Sequence, residues 1–137
     1  MRKIFLLFCL VVIVACDKYH FLPDNYSEIF LGRWKWFGTS TANSNSYQSA
    51  DSAGYTIKII FDRNGKYHYF KNDTLLLLTN YSFHYSHSYN GINHYLLRLD
   101  KEAEGFDVYL NKFSMTDILV IAGTYPDSGE SYYLKEP

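Results

Sequence analysis

The chain has 137 residues, of which 47% are apolar and 19% aromatic, with 13 Lys and Arg residues against 14 Asp and Glu residues. A chain of this length forms a single domain, and its apolar content is too high for an intrinsically disordered protein. The balanced charge leaves no basic stripe of the kind that binds a phosphate backbone, so nucleic acid is not an expected partner.

The N-terminal residues are typical of an export signal. Two basic residues are followed by an uninterrupted apolar run over residues 4–15. This run is too short to span a bilayer as a helix, which needs about 20 residues. Its last residues, Ile13-Val14-Ala15-Cys16, resemble the lipobox of bacterial lipoproteins, in which the cysteine receives the lipid. The resemblance implies a signal peptide over residues 1–15 and lipidation of Cys16, with a plain cleaved signal or an anchor helix as the alternatives.

A mature chain that begins at Cys16 has consequences for its chemistry. The chain contains two cysteines; Cys9 leaves with the signal and Cys16 carries the lipid. No thiol then remains for a disulfide, a redox centre or a thiolate metal site. Acyl chains on Cys16 would anchor the protein to a bacterial membrane, because each buried methylene group contributes about 0.8 kcal/mol. We expect the domain to lie outside the cytoplasm, in the cell envelope and at the outer membrane.

The chain downstream of Cys16 predicts an all-β domain. Residues 16–31 form a tether that contains Pro23 and predicts one helical turn over residues 25–30. Short β-forming runs follow, interrupted by Gly, Asn, Asp and Ser at the spacing typical of a barrel or sandwich. The eight predicted strands cover residues 33–39, 55–62, 66–72, 74–85, 94–100, 106–111, 117–122 and 131–135. Their short connections predict antiparallel neighbours, since parallel strands need long crossovers.

The longest connection, over residues 40–54, is dominated by Thr, Ser, Asn and Ala. So polar a segment is predicted to be an irregular surface loop. Loops of this kind often rim a pocket, and polar surface segments without a function are about as common.

Charges predict the register of the hairpin around Gly65. A two-residue turn would place Lys58 opposite Lys71. A three-residue turn, with Gly65 in the left-handed conformation, pairs Asp62 with Lys66 and removes that repulsion. Alternation along the strands then predicts the inward residues and leaves His68 outside. The inward set comprises Ile57, Ile59, Phe61, Tyr67, Tyr69, Tyr81, Phe83, Tyr85, Leu97, Leu99, Phe106, Val108 and Leu110.

The segment Gly32-Arg33-Trp34, at the entry to the first strand, matches the Gly-x-Trp signature of lipocalins. Together with Trp34-Lys35-Trp36, residues 59–67 and Tyr132-Tyr133-Leu134-Lys135, it is similar to the small lipocalin-like lipoproteins of Bacteroidetes. The resemblance covers most of the mature chain. It implies an eight-stranded antiparallel up-and-down barrel over residues 32–137, often described as ligand-binding. It also implies that Gly32 permits a close backbone approach and that Trp34 plugs the closed end.

Two positions depart from the lipocalin pattern. Thr116-Asp117 is similar to the second motif of the family but lacks its tyrosine. Lys135 stands in the last strand where lipocalins usually place an arginine against the tryptophan. This departure predicts a Trp34 without a cationic partner.

The polar residues predict neither a metal site nor a catalytic site. A zinc site would need several of the histidines to converge, and a spacing of three on one strand sends His84 and His87 to opposite faces. The acids around residues 100–107 cluster at a turn, where solvation explains them. A Gly-x-Ser-x-Gly elbow is absent from the sequence. We therefore expect no enzyme, no metal and no cofactor.

The aromatic residues carry the functional hypothesis, with 14 Tyr, 10 Phe and 2 Trp in the chain. Inward rings can line a pocket for a small apolar or amphipathic ligand, with hydroxyl groups orienting its polar end. The candidate ligand-binding residues are Trp36, Tyr67, Tyr69, Tyr81 and Phe83. The alternative is that these rings fill the barrel, which is just wide enough for side chains. Such a solid-core module would contact an envelope protein or a glycan through residues 40–54 or the Tyr-rich last strand.

Overall fold

The computed structural model describes residues 27–42, 46–100, 104–113, 115–123 and 129–137. Cys16, the predicted signal peptide and most of the predicted tether lie outside the described residues. In the described ranges, no helix is both long enough and apolar enough to cross a membrane.

The described chain is nearly all β. A 3-10 turn, Ser27–Ile29, occupies part of the predicted helical turn and leads into the first strand. The strands are β1 (Gly32–Ser40), β2 (Tyr47–Ser49), β3 (Ile57–Phe61), β4 (Lys66–Lys71), β5 (Thr74–Tyr89), β6 (Ile92–Leu99), β7 (Phe106–Phe113), β8 (Thr116–Gly123) and β9 (Glu130–Lys135), and a single-turn helix, α1, covers Ala50–Ala53.

Eight of these strands close into a barrel. Antiparallel pairing runs in the order β1-β3-β4-β5-β6-β7-β8-β9, and β9 pairs back onto β1. β2 is a short additional strand that pairs with the end of β1. The predicted eight-stranded antiparallel up-and-down barrel is confirmed.

The prediction of an irregular loop over residues 40–54 was wrong, because this segment contains β2 and α1. The Ser49 hydroxyl accepts a hydrogen bond from the Ser52 amide at 3.2 Å and caps the helix. Gly54 ends the helix in the left-handed conformation, with φ of 72°. Serine is common in loops and is also a preferred helix N-cap, so its abundance does not distinguish the two.

The hairpin between β3 and β4 adopts the register that the charges predict. Asp62 and Lys66 close a three-residue turn, in which the Asp62 amide donates to the Lys66 carbonyl at 3.0 Å. Gly65 has a φ of 73°, the left-handed conformation that the turn requires. Lys58 lies opposite Phe70, so the repulsion between lysines is avoided.

A bulge in β5 corrects the predicted placement of two histidines. The register shifts between Tyr85 and His87, which adds one residue to β5 relative to β6. His84 therefore pairs with Leu96 and His87 pairs with His94. Leu96 and His94 are two residues apart on β6, so His84 and His87 share the outer face instead of lying on opposite faces.

Tyr85, predicted to lie inside, is 51% exposed. It pairs with the buried Tyr95, so its direction along the strand agrees with the alternation. The pairing of β4 with β5 stops at Asn80. The half of β5 that carries Tyr85 extends beyond its pairing with β4. It therefore lacks β4 as a neighbour on that side, which leaves Tyr85 exposed.

The N-terminal turn packs into one end of the barrel. Phe30 and Trp34 are both 0% exposed, and the Trp34 indole N–H donates to the Phe30 carbonyl at 2.8 Å. The Phe30 ring stacks on Phe83 at 4.3 Å between centroids and meets Tyr95 edge-on at 5.3 Å. These rings fill the barrel at this end.

Trp34 has a cationic partner, contrary to the prediction. Lys135 Nζ lies 5.2 Å from the centroid of the Trp34 ring, within the range of a cation–π interaction. The two residues are direct partners in the pairing of β1 with β9. The pairing that closes the barrel therefore places Lys135 against Trp34, at the position where lipocalins usually have an arginine.

We expect Phe30→Ala to lower the free energy of unfolding by about 3–5 kcal/mol, because it removes a fully buried ring from the closed end. Urea unfolding followed by tryptophan fluorescence measures this change. Ile29→Ala is the matched control; Ile29 is 41% exposed, and its effect should stay below about 1 kcal/mol. Equal effects of the two substitutions would contradict the role of Phe30 as a core residue.

Candidate functional site

A cavity of about 370 Å³ lies inside the barrel, among the inward side chains of β4 to β9. It is separate from the end that Phe30 and Trp34 fill, since neither of these rings lines it. Gly123 at the end of β8 and Gly129 just before β9 also line it. Because glycine has no side chain, these two positions place only backbone atoms at the cavity.

One wall of the cavity carries hydroxyl groups. It is formed by Tyr67 and Tyr69 of β4 and by Ser131 and Tyr133 of β9. The remaining side chains are apolar and come from β5 to β8, namely Leu77, Leu97, Leu99, Phe106 and Ile121. The cavity therefore has a polar wall of neutral groups and an apolar wall.

The tyrosine hydroxyls stay protonated. Burial raises the pKa of Tyr67 well above its usual range, and the neighbouring Tyr133 and Tyr69 add to the shift. Burial likewise raises the pKa of Tyr133, with a further contribution from Tyr69, and outweighs the opposing hydrogen bond with Ser131. Burial and the nearby Tyr55 raise the pKa of Tyr69. Each hydroxyl is thus a neutral hydrogen-bond donor over the physiological pH range.

A chain of hydrogen bonds connects Trp36 to the polar wall. The Trp36 indole N–H donates to the Thr39 hydroxyl at 3.0 Å, and the Thr39 and Ser131 hydroxyls are 3.0 Å apart. Ser131 in turn shares a hydrogen bond with Tyr133. The Trp36 ring stacks on Tyr55 at 5.4 Å between centroids. Trp36 therefore does not line the cavity but is connected through Thr39 to Ser131 and Tyr133, which do.

The structure brings two of the five candidate ligand-binding residues to the cavity. Tyr67 and Tyr69 line it, whereas Trp36, Tyr81 and Phe83 do not. The Tyr81 hydroxyl donates to the Asp62 carbonyl at 2.9 Å, and the Phe83 ring packs against Phe30 in the closed end.

Several lining residues were not identified as candidates from the sequence. Leu97, Leu99 and Phe106 were predicted to point inward but not to line a pocket. Ser131 and Tyr133 were missed, because Tyr132-Tyr133 is aromatic at both positions and its alternation does not distinguish the faces. The pairing of Tyr133 with Trp36 across the closure is what identifies its inward direction.

The outer face carries a separate row of aromatic residues. The hydroxyls of Tyr109 and Tyr132 donate to the two carboxylate oxygens of Glu130, at 3.1 and 2.8 Å. The Tyr132 ring lies 5.9 Å from Phe37 and 6.4 Å from Tyr47 between centroids. Tyr47 is 54% exposed, so this row is accessible from outside.

The histidines on the outer face do not assemble a metal site. His94 Nδ1 lies 2.8 Å from Asp107 Oδ2, and the His87 ring stacks on His94 at 4.6 Å between centroids. Among the residues that the structure describes, no group of three His, Cys, Asp or Glu side chains converges to hold a metal ion. The contacts of His94 with Asp107 and His87 are therefore contacts between neighbouring side chains on the outer surface of the barrel.

Comparisons of this chain with protein-family models, with curated proteins and with solved structures found no match. The similarity of Gly32-Arg33-Trp34 to the lipocalin signature stays a prediction from the residues. Function is therefore inferred from the cavity and the surface.

We expect Thr39→Val to lower the free energy of unfolding by about 1–3 kcal/mol, because it leaves the buried Trp36 indole N–H without an acceptor. Thermal and urea unfolding measure the change. Thr56→Val, at an exposed position, is the control and should be nearly neutral. If Thr39→Val were as neutral as the control, the hydrogen bond chain behind the cavity would not contribute to stability.

Proposed function

We propose that this protein is a lipid-anchored, non-enzymatic protein of the cell envelope whose barrel binds a small apolar or amphipathic ligand. The observation that carries the proposal is the cavity of about 370 Å³ between an apolar wall and a wall of tyrosines. Small-molecule sites typically occupy about 300 to 1,000 Å³ and are lined mainly by apolar and aromatic side chains with a few polar groups.

The size of the cavity limits the ligand. At a water-like volume of about 30 Å³ per non-hydrogen atom, the cavity holds about twelve such atoms. Phe30, Trp34 and Phe83 occupy the closed end, so a longer molecule has no deeper space to enter. A medium-chain acyl compound or a two-ring aromatic has about this size.

A non-enzymatic role is supported by the groups around the cavity. Among the described lining residues, Ser131 carries the one hydroxyl group that does not belong to a tyrosine. Its hydrogen-bond neighbours are the hydroxyls of Thr39 and Tyr133. A nucleophilic serine needs an adjacent base such as histidine or a carboxylate, and neither type of residue is found in the described lining of the cavity.

The proposed anchor is the lipid on Cys16. The first described residue, Ser27, lies eleven residues further along the chain. A segment of that length spans at most about 40 Å when fully extended. The barrel would therefore stay close to the membrane surface, where apolar molecules of the envelope are available.

We expect the protein to bind 1-decanol or 2-naphthol saturably at one site, and Ile121→Trp to weaken this binding at least about tenfold by filling the cavity. Isothermal titration calorimetry measures both affinities. Ile118→Trp places the same ring on the same strand but on the outer face, and it should bind like the unmodified protein. Urea unfolding verifies that both variants are folded, because overpacking alone costs about 1–3 kcal/mol. Absence of saturable binding by the unmodified protein would refute the proposed function.

A second candidate function is favoured by the outer aromatic row: an interaction module that contacts an envelope protein or a glycan. Tyr47 and Tyr132 present ring surface of the type enriched in binding interfaces. In this case, Tyr47→Ser should reduce the recovery of a partner after chemical cross-linking in intact envelopes, and Ile121→Trp should not. The opposite result would favour the ligand-binding function.

A further inference from the structure

Two tyrosine hydroxyls of the cavity lining, those of Tyr67 and Tyr69, have no hydrogen-bond acceptor among the described residues. Tyr67 is only 7% exposed. Neither the Tyr67 hydroxyl nor the Tyr69 hydroxyl is hydrogen-bonded to a residue in the described part of the chain. A donor at the surface of a cavity is satisfied when water or a bound molecule supplies the acceptor. An oxygen atom of a ligand placed against this wall supplies such an acceptor.

The described part of the cavity lining offers no counterion to a charged ligand. Among the lining residues that the structure describes, none is Asp, Glu, Lys, Arg or His. Glu130 lies between the lining residues Gly129 and Ser131, but its carboxylate accepts the hydroxyls of Tyr109 and Tyr132 on the outer face. An ion that enters the cavity would lose its hydration without gaining a partner of opposite charge.

Lys71 lies two residues beyond Tyr69 on β4 and pairs with the inward Ile57 of β3. Its Nζ lies 4.3 Å from the centroid of the Tyr55 ring, and the residue is exposed. A charge that remains in water is screened and compensates little for burial of an anion. The alternative to a neutral ligand is an anionic one whose carboxylate stays at the rim of the cavity beside Lys71.

We infer that the cavity selects an uncharged amphiphile of about twelve non-hydrogen atoms that carries an oxygen acceptor, such as a medium-chain alcohol, ketone or ester. The alkyl part packs against Leu97, Leu99 and Ile121, and the oxygen accepts hydrogen bonds from Tyr67 and Tyr69. This inference rests on the proposed ligand-binding function and specifies the chemical class of the ligand.

A matched set of ligands tests the selectivity for neutral molecules. 1-Decanol, 2-decanone and methyl nonanoate are neutral, whereas decanoate and decylammonium have nearly the same length and opposite charges. By calorimetry at pH 8, we expect each neutral compound to bind at least about tenfold more tightly than either ion. As the pH falls toward the carboxyl pKa of about 4 to 5, binding of decanoate should tighten while binding of 1-decanol stays constant. This comparison needs only the unmodified full-length protein.

Two variants test the role of the hydroxyls. Tyr67→Phe and Tyr69→Phe keep the ring and remove one donor, and each should weaken the binding of 1-decanol by about threefold to tenfold. Tyr81→Phe is the matched control, because it removes a buried hydroxyl that donates to Asp62 and does not line the cavity. It should leave the affinity unchanged. Thermal unfolding of each variant separates loss of binding from loss of structure.

The outcomes distinguish this inference from the proposed function. If none of the five compounds binds, the ligand-binding function itself fails. If all five bind with similar affinity, or if both phenylalanine variants bind 1-decanol like the unmodified protein, the function stands and the selectivity is overturned. Tighter binding of decanoate, weakened by Lys71→Gln, would also overturn it and would identify an anionic ligand held at the rim.

Discussion

The pairing of β9 with β1 is the constraint on which the rest of the molecule depends. It extends from Trp34 opposite Lys135 to Ser40 opposite Glu130. This pairing converts a sheet with two edges into a closed barrel, which satisfies the backbone groups of both strands. Gly129 permits the approach at one end, because a Cβ atom there would lie 1.8 Å from the Ser40 carbonyl oxygen. The same closure brings Lys135 onto the Trp34 ring and Ser131 beside Thr39.

Closure also divides the interior into a filled part and an open part. At the filled end, Phe30 enters from outside the barrel and stacks on Phe83, and its carbonyl accepts the Trp34 indole N–H. In the open part, Gly123 and Gly129 contribute no side chains, and a cavity of about 370 Å³ lies between the tyrosines and the aliphatic residues. One closed sheet thus provides both a rigid packed core and a preformed cavity. A preformed site lowers the conformational cost of binding.

Tyrosine serves a different purpose in each part of the molecule. Tyr81 uses its hydroxyl to hold the β3–β4 turn through the Asp62 carbonyl. Tyr109 and Tyr132 use theirs to hold Glu130 on the outer face. Tyr67 and Tyr69 have hydroxyls that remain available inside the cavity. The tyrosines of the chain therefore include some that make structural hydrogen bonds and some whose hydroxyls face the cavity, and only the surroundings of each ring distinguish the two.

The sequence by itself determined the all-β barrel, the β3–β4 register and most inward residues, because these depend on alternation with period two and on charges a few residues apart. Ile59, Phe61 and Tyr67 were identified in this way. Alternation failed where one extra residue changes the face, as at the bulge that puts His84 and His87 together, and where both faces are aromatic, as at Tyr132-Tyr133. Which inward rings pack and which line a cavity was decided only by the tertiary structure. Phe83 packs against Phe30, whereas Tyr133 lines the cavity. These environments depend on residues far apart in the chain, and local patterns contain no information about such contacts.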